Sequence, residues 1–314
     1  MKKDFFILKK IKNVNVIIIV LFLLILITSI ISHKFLSVIN IMNILRQIST
    51  IGIMAFGVSF VMIGGNIDLS IGSILTLCGL ISCKLTAYGA VVAILIPLIV
   101  GFICGTLNGI FVGKIKFNSF ITTLGTMSIF QAIAYIYSDN NFLNATNNFF
   151  YSQVGKGFFY KIPIPVFILI FFFLIFLYLS KETVFGRQLY VVGANPECAK
   201  FSGINNEKII ILAYASSGFC AAVSSIIFVS RQMAAQPEMG AGYEFGVLVA
   251  VVVGGISLSG GKGNLYQAML GVIFIGVLKN SFILLGILLY YQYVVMGVVL
   301  IFTLGISNIK EKEK

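Results

Sequence analysis

Residues 162–180 read I-P-I-P-V-F-I-L-I-F-F-F-L-I-F-L-Y-L-S, an uncharged apolar run, and residues 181–208 continue K-E-T-V-F-G-R-Q-L-Y-V-V-G-A-N-P-E-C-A-K-F-S-G-I-N-N-E-K. A helix of the first composition is long enough to cross the roughly 30 Å hydrocarbon core of a bilayer. The switch to mixed polar sequence at Lys181 marks where the chain leaves it. Outward from this pair the alternation repeats. Apolar candidates lie at about 14–32, 47–63, 70–84, 89–113, 118–137, 162–180, 209–230, 244–257, 264–281 and 289–307. The expectation is an all-α integral membrane protein with about ten transmembrane helices. Composition agrees, because 59% of the 314 residues are hydrophobic and 10% are charged, whereas soluble domains carry about 25% charged residues. The connections are too short for a soluble catalytic domain, which disfavours a membrane-anchored enzyme. The expected organisation is a basic cytoplasmic N-terminus (1–13), one transmembrane domain (14–307) with a cytoplasmic connection at 181–208, and a charged cytoplasmic C-terminus (308–314). The run 14–32 has no A-x-A-type exit and is expected to be a retained first helix.

The net charge of +12 does not point to nucleic acid, since the 22 Lys and Arg residues sit between the apolar runs or at their ends. With the N-terminus in the cytoplasm, fifteen of them fall inside and seven, from Lys34 to Lys279, fall outside or at the outer ends of spans. That bias favours N-in and C-in, hence an even number of spans. Cys78, Cys83, Cys104, Cys198 and Cys220 form no C-x-x-C pair and read as free packing thiols. His33 is the only histidine, so a histidine-based metal site or catalytic triad is not expected. Ser259 to Gly263 read S-G-G-K-G but fail as a phosphate loop, because position 256 is isoleucine and Gly263 follows Lys262. No catalytic residue and no cofactor are expected in this chain.

Two glycine-broken stretches echo one another, G-G-N-I-D-L-S-I-G at 64–72 and G-G-I-S-L-S-G-G-K-G-N at 254–264. They read either as interrupted helices of two internally related halves or as glycine-rich connections. Asn66, Asp68, Ser70, Gly254, Gly255, Ser257 and Ser259 are the candidate translocation-pathway residues. Asp68 lies deep between two apolar runs, where a carboxylate is costly; it reads as a cation or proton site, or as a cap for the next helix, with capping favoured. Gly101, Gly105, Gly109 and Gly113 share one helix face and are expected to admit a close neighbour. The Asn- and aromatic-rich stretch 138–161 reads as a solvated outer loop with interfacial rings, or as a docking site for an extracytoplasmic partner. In 181–208 Asn195 is placed to cap, Pro196 takes a first helical position, and Cys198, Phe201 and Ile204 fall near one face of a short amphipathic helix.

F-G-R-Q-L-Y-V-V-G-A-N-P-E-C-A-K-F-S-G-I (185–204) resembles the coupling loop of ribose-type sugar permeases, the membrane subunits of bacterial ATP-binding-cassette (ABC) importers, whose form is roughly G-R-x-I-Y-A-x-G-G-N-x-x-A-A-x-x-S-G-I. The same family is echoed at 64–73, 118–127 (N-S-F-I-T-T-L-G-T-M), 235–244 (A-Q-P-E-M-G-A-G-Y-E), 251–263 and 284–292, in order from about residue 36 to the end. The resemblance implies an importer permease fold in the bacterial inner membrane and a second permease copy or sister permease. It also implies a cytoplasmic ATP-binding subunit carrying ATP and magnesium, and an extracytoplasmic sugar-binding protein. Gly186, Arg187, Gly193, Asn195, Ala199, Ser202 and Gly203 are then expected at the ATPase contact. A ribose-like monosaccharide leads as solute, with galactose, another pentose, inositol, a furanosyl signalling molecule or a nucleoside left open. Ala194 and Cys198 depart from the family form, and Gly246-Val247-Leu248 stands where D-A-I is usual. The alternative from another class is an ion-coupled secondary carrier using Asp68.

Overall fold

The computed structural model describes residues 2–288, 290–299 and 301; the charged stretch 308–314 lies outside them. The chain is built from α1 (Lys2–Ile31), α2 (Val38–Ile63), α3 (Ile71–Leu85), α4 (Ala90–Gly109), α5 (Ser119–Ser138), α6 (Phe149–Lys156), α7 (Ile164–Lys181), α8 (Val184–Ala194), α9 (Pro196–Phe201), α10 (Asn206–Gln232), α11 (Tyr243–Val253) and α12 (Leu265–Leu284). A further helical run occupies 290–299. Four two-residue strands are the sheet of the described residues: β1 (Leu143–Asn144) pairs antiparallel with β4 (Ala234–Ala235), and β2 (Phe158–Phe159) with β3 (Ile162–Pro163). Every apolar candidate read from the sequence is helical over most of its described length.

Among the described residues seven helices are long and apolar enough to cross a membrane, and they include α2, α7 and α10. The eighth candidate is shorter than expected, because α11 stops after 11 residues at Val253. At 1.5 Å per residue that is about 16 Å, half a bilayer core. Helix α4 passes without interruption into a π-helical turn at Ile110–Lys114. Burial sorts the helices. The apolar windows of α2, α3 and α10 are 83%, 72% and 72% buried, whereas those of α4, α5 and α7 are 28%, 22% and 28% buried. Helices α2, α3 and α10 therefore form the centre, joined by the buried α11, and α4, α5 and α7 turn apolar faces outward, as lipid requires.

The glycine stripe explains how α4 meets α10. A Cβ at Gly105 would strike the Tyr214 carbonyl, one at Gly101 the Gly218 carbonyl and Ala222, one at Gly109 Ile211, and one at Gly113 the Glu207 carbonyl. All four glycines thus face α10, which answers with its own Gly218, and the two backbones close to a distance that side chains would forbid.

The stretch 138–161 differs from a plain solvated loop. Asn148 caps α6 by accepting from Tyr151 N at 3.1 Å, and this helix packs Tyr151 fully into the protein with its hydroxyl 2.6 Å from Ser82 Oγ. Gly155 lets α6 sit against the α10 backbone at Ile227 and Arg231. Phe149, Phe150 and Tyr160 remain exposed, as interfacial rings.

Candidate functional site

The two glycine-broken stretches begin with the same backbone device. Gly64 ends α2 and Gly65 turns to φ +78°, with Gly65 N donating to Met62 O and Asn66 N to Val61 O. Gly254 ends α11 and Gly255 turns to φ +99°, with Gly255 N donating to Val252 O and Ile256 N to Val251 O. Both are the paired bonds of a Schellman ending, whose left-handed residue glycine adopts without a Cβ penalty. The echo in sequence is a repeated stop signal, and both stretches are glycine-rich connections between helices. Neither is left open at membrane depth, since Gly261 N donates to Ile63 O at 2.8 Å and so joins the second break to the first.

A third backbone enters the same place. Gly193, near the end of α8, sits so close that a Cβ there would overlap Ile63 O and Gly261 N, and a Cβ at Gly260 would meet Gly65 Cα and Gly193 O. Leu189 packs on Gly64, and the Tyr190 hydroxyl donates to Gly263 O at 3.0 Å. Burial pushes the Tyr190 phenol above its usual range, which keeps it a donor. One face of α8 therefore touches the end of α2 and the loop before α12 at once.

The 181–208 connection is two helices rather than one. Thr183 accepts from Gly186 N at 3.2 Å to start α8, and Gly186 is required because a Cβ would strike the Leu179 and Ser180 carbonyls. Asn195 accepts from Glu197 N and Cys198 N, both at 3.0 Å, and Pro196 opens α9, as its spacing predicts. The expected contact residues divide. Gly186, Gly193 and Ala199 are buried against the protein, while Arg187, Asn195, Ser202 and Gly203 are exposed, the last at φ +77°. Cys198 is exposed and Phe201 is 91% exposed, so the short helix carries an apolar tip away from the body.

Asp68 is placed differently from Gly65, only three residues away. It is wholly buried; Oδ1 accepts from Ser70 N at 3.0 Å and Ser70 Oγ at 2.7 Å, and Oδ2 accepts from Ser217 Oγ at 2.7 Å. Asn108 Nδ2 donates to Ser70 Oγ at 2.7 Å, and the Tyr214 hydroxyl donates to Ile67 O at 2.8 Å. The carboxylate thus ties the start of α3 to α4 and α10. Its bond to Ser70 N directs the chain into α3, whereas Ser70 itself makes no side-chain cap bond. Asn66 is half-buried, Gly254 is buried, and Gly255 and Ser259 are exposed, with Ser257 between these extremes. The structure brings the two breaks together at Gly65 and Gly260 and sends Asp68 and Ser70 elsewhere. Sequence reading missed Asn108 and Ser217, which lie inside long apolar runs with no motif to mark them.

At the far end of α2 a cavity of about 430 Å³ is lined by Asn40, Asn43, Arg46, Gln47, Arg231 and Asn280 together with Ile283 and Leu284. The Asn40 and Asn280 amides exchange hydrogen bonds of 2.9 and 2.8 Å across α2 and α12.

Comparison with known proteins gives one consistent result. Residues 40–304 match the family described as branched-chain amino acid transport system / permease component. The chain is 38% identical over 285 residues to the ribose import permease protein RbsC of Haemophilus influenzae, covering 89% of this chain and 88% of that one. It is 38% identical over 276 residues to RbsC of Bacillus subtilis, covering 87% and 86%. It is 32% identical over 289 residues to the L-arabinose transport system permease protein AraH of Escherichia coli, covering 90% and 86%. No solved structure matches.

Proposed function

The chain belongs to the branched-chain amino acid transport system / permease component family, and from that premise we propose that it is the membrane-spanning permease of an ABC importer for a ribose-like monosaccharide. It is a multi-pass inner-membrane protein, and its relatives include ribose and arabinose permeases. The reading assigns ATP and magnesium to a separate cytoplasmic subunit, solute delivery to an extracytoplasmic binding protein, and the second half of the translocation unit to another permease copy or a sister permease.

The observation that carries the reading is the position of α8, with Gly193 wedged between Ile63 O and Gly261 N. A force applied to α8 and α9 from the cytoplasm reaches the end of α2 and the loop before α12 through backbone, with no flexible side chain to absorb it. Arg187, Asn195, Ser202 and Gly203 face outward to receive that force, and the buried Gly186, Gly193 and Ala199 hold the helices on the body. Of the candidate translocation-pathway residues, Asn66, Gly254, Gly255, Ser257 and Ser259 are read as belonging to the two breaks that this force reaches, and Asp68 and Ser70 as the tie that holds α3 to α4 and α10 beside them.

The test is Arg187→Glu in the complete importer reconstituted into vesicles. The expected result is loss of binding-protein-stimulated ATP hydrolysis and of D-ribose uptake, with the thermal stability of the permease unchanged. Intact uptake would remove Arg187 from the contact.

A further inference from the structure

The cavity at the end of α2 remote from α8 gathers positive charge at membrane depth. Arg46 and Ile63 are separated by about 25 Å of helix rise, most of the roughly 30 Å hydrocarbon core. With the α8 joint at one face of the bilayer, Arg46 lies just inside the other. Neighbouring elements agree on that level. Arg46 sits over the Phe158 ring at 4.6 Å, and Phe158 belongs to the β2–β3 pair that immediately precedes α7. Phe159 and Tyr160 beside it are exposed, as rings at a membrane–water interface are.

Two guanidinium groups, of Arg46 and Arg231, line the cavity, and no carboxylate is among its lining residues. They lie near enough to repel one another. Arg46 Nη2 reaches the exposed side, 3.5 Å from the Lys156 carbonyl, and Arg231 is half-buried, 6.0 Å from the Phe228 ring centre. Lys156 and Lys161 add exposed cations along the same connection. Like charges below the headgroup level are costly. Carbonyls, ring faces and water soften them, but only an anion cancels the charge. The rest of the wall says which anion. Asn43 and the Asn40–Asn280 pair bring amides to the cavity, and Ile283 and Leu284 bring apolar surface. Ile283 is exposed, and so are Ile39, one turn before Asn43 on the same face of α2, and Leu288 just past α12. Charged and lipid-facing residues therefore border one cavity. A soluble phosphate would satisfy the arginines and leave the apolar rim uncovered. A phosphodiester that carries acyl chains satisfies both.

We propose that this cavity binds the phosphodiester headgroup of an anionic phospholipid of the phosphatidylglycerol type, with Arg46 and Arg231 as its counter-charges. The volume of about 430 Å³ falls within the roughly 300–1,000 Å³ of small-molecule pockets. The arginines come from α2 and α10 and the amides from α2 and α12, so the headgroup fastens three helix ends together and its binding is read as stability. The inference requires that the chain span a membrane and is independent of the solute it carries.

The full-length permease, stripped of lipid in a neutral detergent, is titrated with phosphatidylglycerol, phosphatidylcholine or inorganic phosphate while its melting temperature is followed. Phosphatidylglycerol is expected to raise the melting temperature saturably, phosphatidylcholine far less, and inorganic phosphate not at all. Arg46→Gln and Arg231→Gln should each move the phosphatidylglycerol midpoint about fivefold upward, the loss of one basic contact at a membrane surface. Lys84→Gln, which removes a cation outside this lining, should leave the midpoint in place. Equal effects of the two lipids overturn the charge assignment. A rise of the same size with inorganic phosphate alone puts a soluble anion in the cavity and overturns the lipid assignment, and unchanged midpoints in both arginine variants overturn the site. The unsubstituted chain supplies a check that no folding defect can blur: a photoactivatable phosphatidylglycerol in nanodiscs should crosslink within residues 39–47 or 283–288, and crosslinks confined to other segments overturn the proposal.

Discussion

Asp68 shows how a single buried carboxylate can be structural. Its two oxygens take three hydrogen bonds from Ser70 and Ser217, and the second of these lies 149 positions along the chain. Asp68→Ala would leave those donors unpaired at a cost of about 2–4 kcal/mol, and the expected outcome is a lower melting temperature by circular dichroism in detergent. Asp68→Asn keeps one acceptor oxygen and the volume, and it should retain most of the stability and most of the sugar uptake in reconstituted vesicles. Loss of uptake in Asp68→Asn at full stability would instead revive an ion-coupled carrier. The sequence singled out Asp68 because a charge inside apolar runs is visible as a letter. Its neighbour Ser70 was legible beside it, but the distant members of the cluster were not, since serine and asparagine inside a membrane helix carry no periodic mark, and only the fold brings Ser217 to Asp68 and Asn108 to Ser70. Gly246 is the reverse case, a residue legible by what it lacks. A Cβ there would lie 3.1 Å from Lys279 Nζ, so the acidic residue usual at this position in ribose-type permeases would face the ammonium directly. Gly246→Asp is expected to preserve uptake and folded yield, because the new carboxylate meets Lys279, whereas Gly246→Lys places a second buried cation against that ammonium and should lower the melting temperature by circular dichroism.

Helices α4 and α10 and the glycine joint around α8 are where the sequence spoke most clearly at the scale of elements. The spacing of Gly101, Gly105, Gly109 and Gly113 predicted a close neighbour, and α10 is that neighbour. Gly105→Leu should force the pair apart at a cost of about 1–3 kcal/mol for overpacking, read as reduced folded yield in membranes. The sequence reading placed one short helix after Asn195 and did not separate α8 from it, although Phe185, Leu189 and Val192 recur at helical spacing and form the inward side of α8. Helix α6 was not, because its eight residues are aromatic and polar in equal measure and only the buried Tyr151 reveals a packed face. The glycine joint separates folding from coupling. Gly193→Ala places a methyl against Ile63 O and Gly261 N, so α8 must shift away from both breaks. The expected phenotype is an importer that assembles with its ATPase subunit and hydrolyses ATP without the stimulation that the binding protein normally gives. Unaltered stimulation in Gly193→Ala would mean that the force travels by another route.

As a whole the molecule is polarised along α2, with a polar cavity at one end and three locked backbones at the other. Nothing in composition distinguishes the two ends, since both are short stretches between apolar runs, and the difference arises only when residues from α2, α8, α10 and α12 are brought together. The exposed end of this axis can be read in the native chain. Among the five cysteines Cys78, Cys83, Cys104 and Cys220 are buried, and Cys198 alone is exposed, on α9 three residues before the protruding Phe201. A maleimide reacts with an exposed thiolate and is shut out of apolar packing, so the folded permease should label at Cys198 and Cys198→Ser should not label. Because α9 sits on the surface proposed to meet the ATPase subunit, the complete importer should label at least tenfold more slowly, a protection of about 1.4 kcal/mol or more. Phe201→Asp should restore fast labelling by breaking the contact, with the bundle unaffected because Phe201 packs on nothing inside it. Fast labelling of Cys198 in a complex that still hydrolyses ATP would put the ATPase contact away from α9 and leave α8 with Arg187 to carry the force alone.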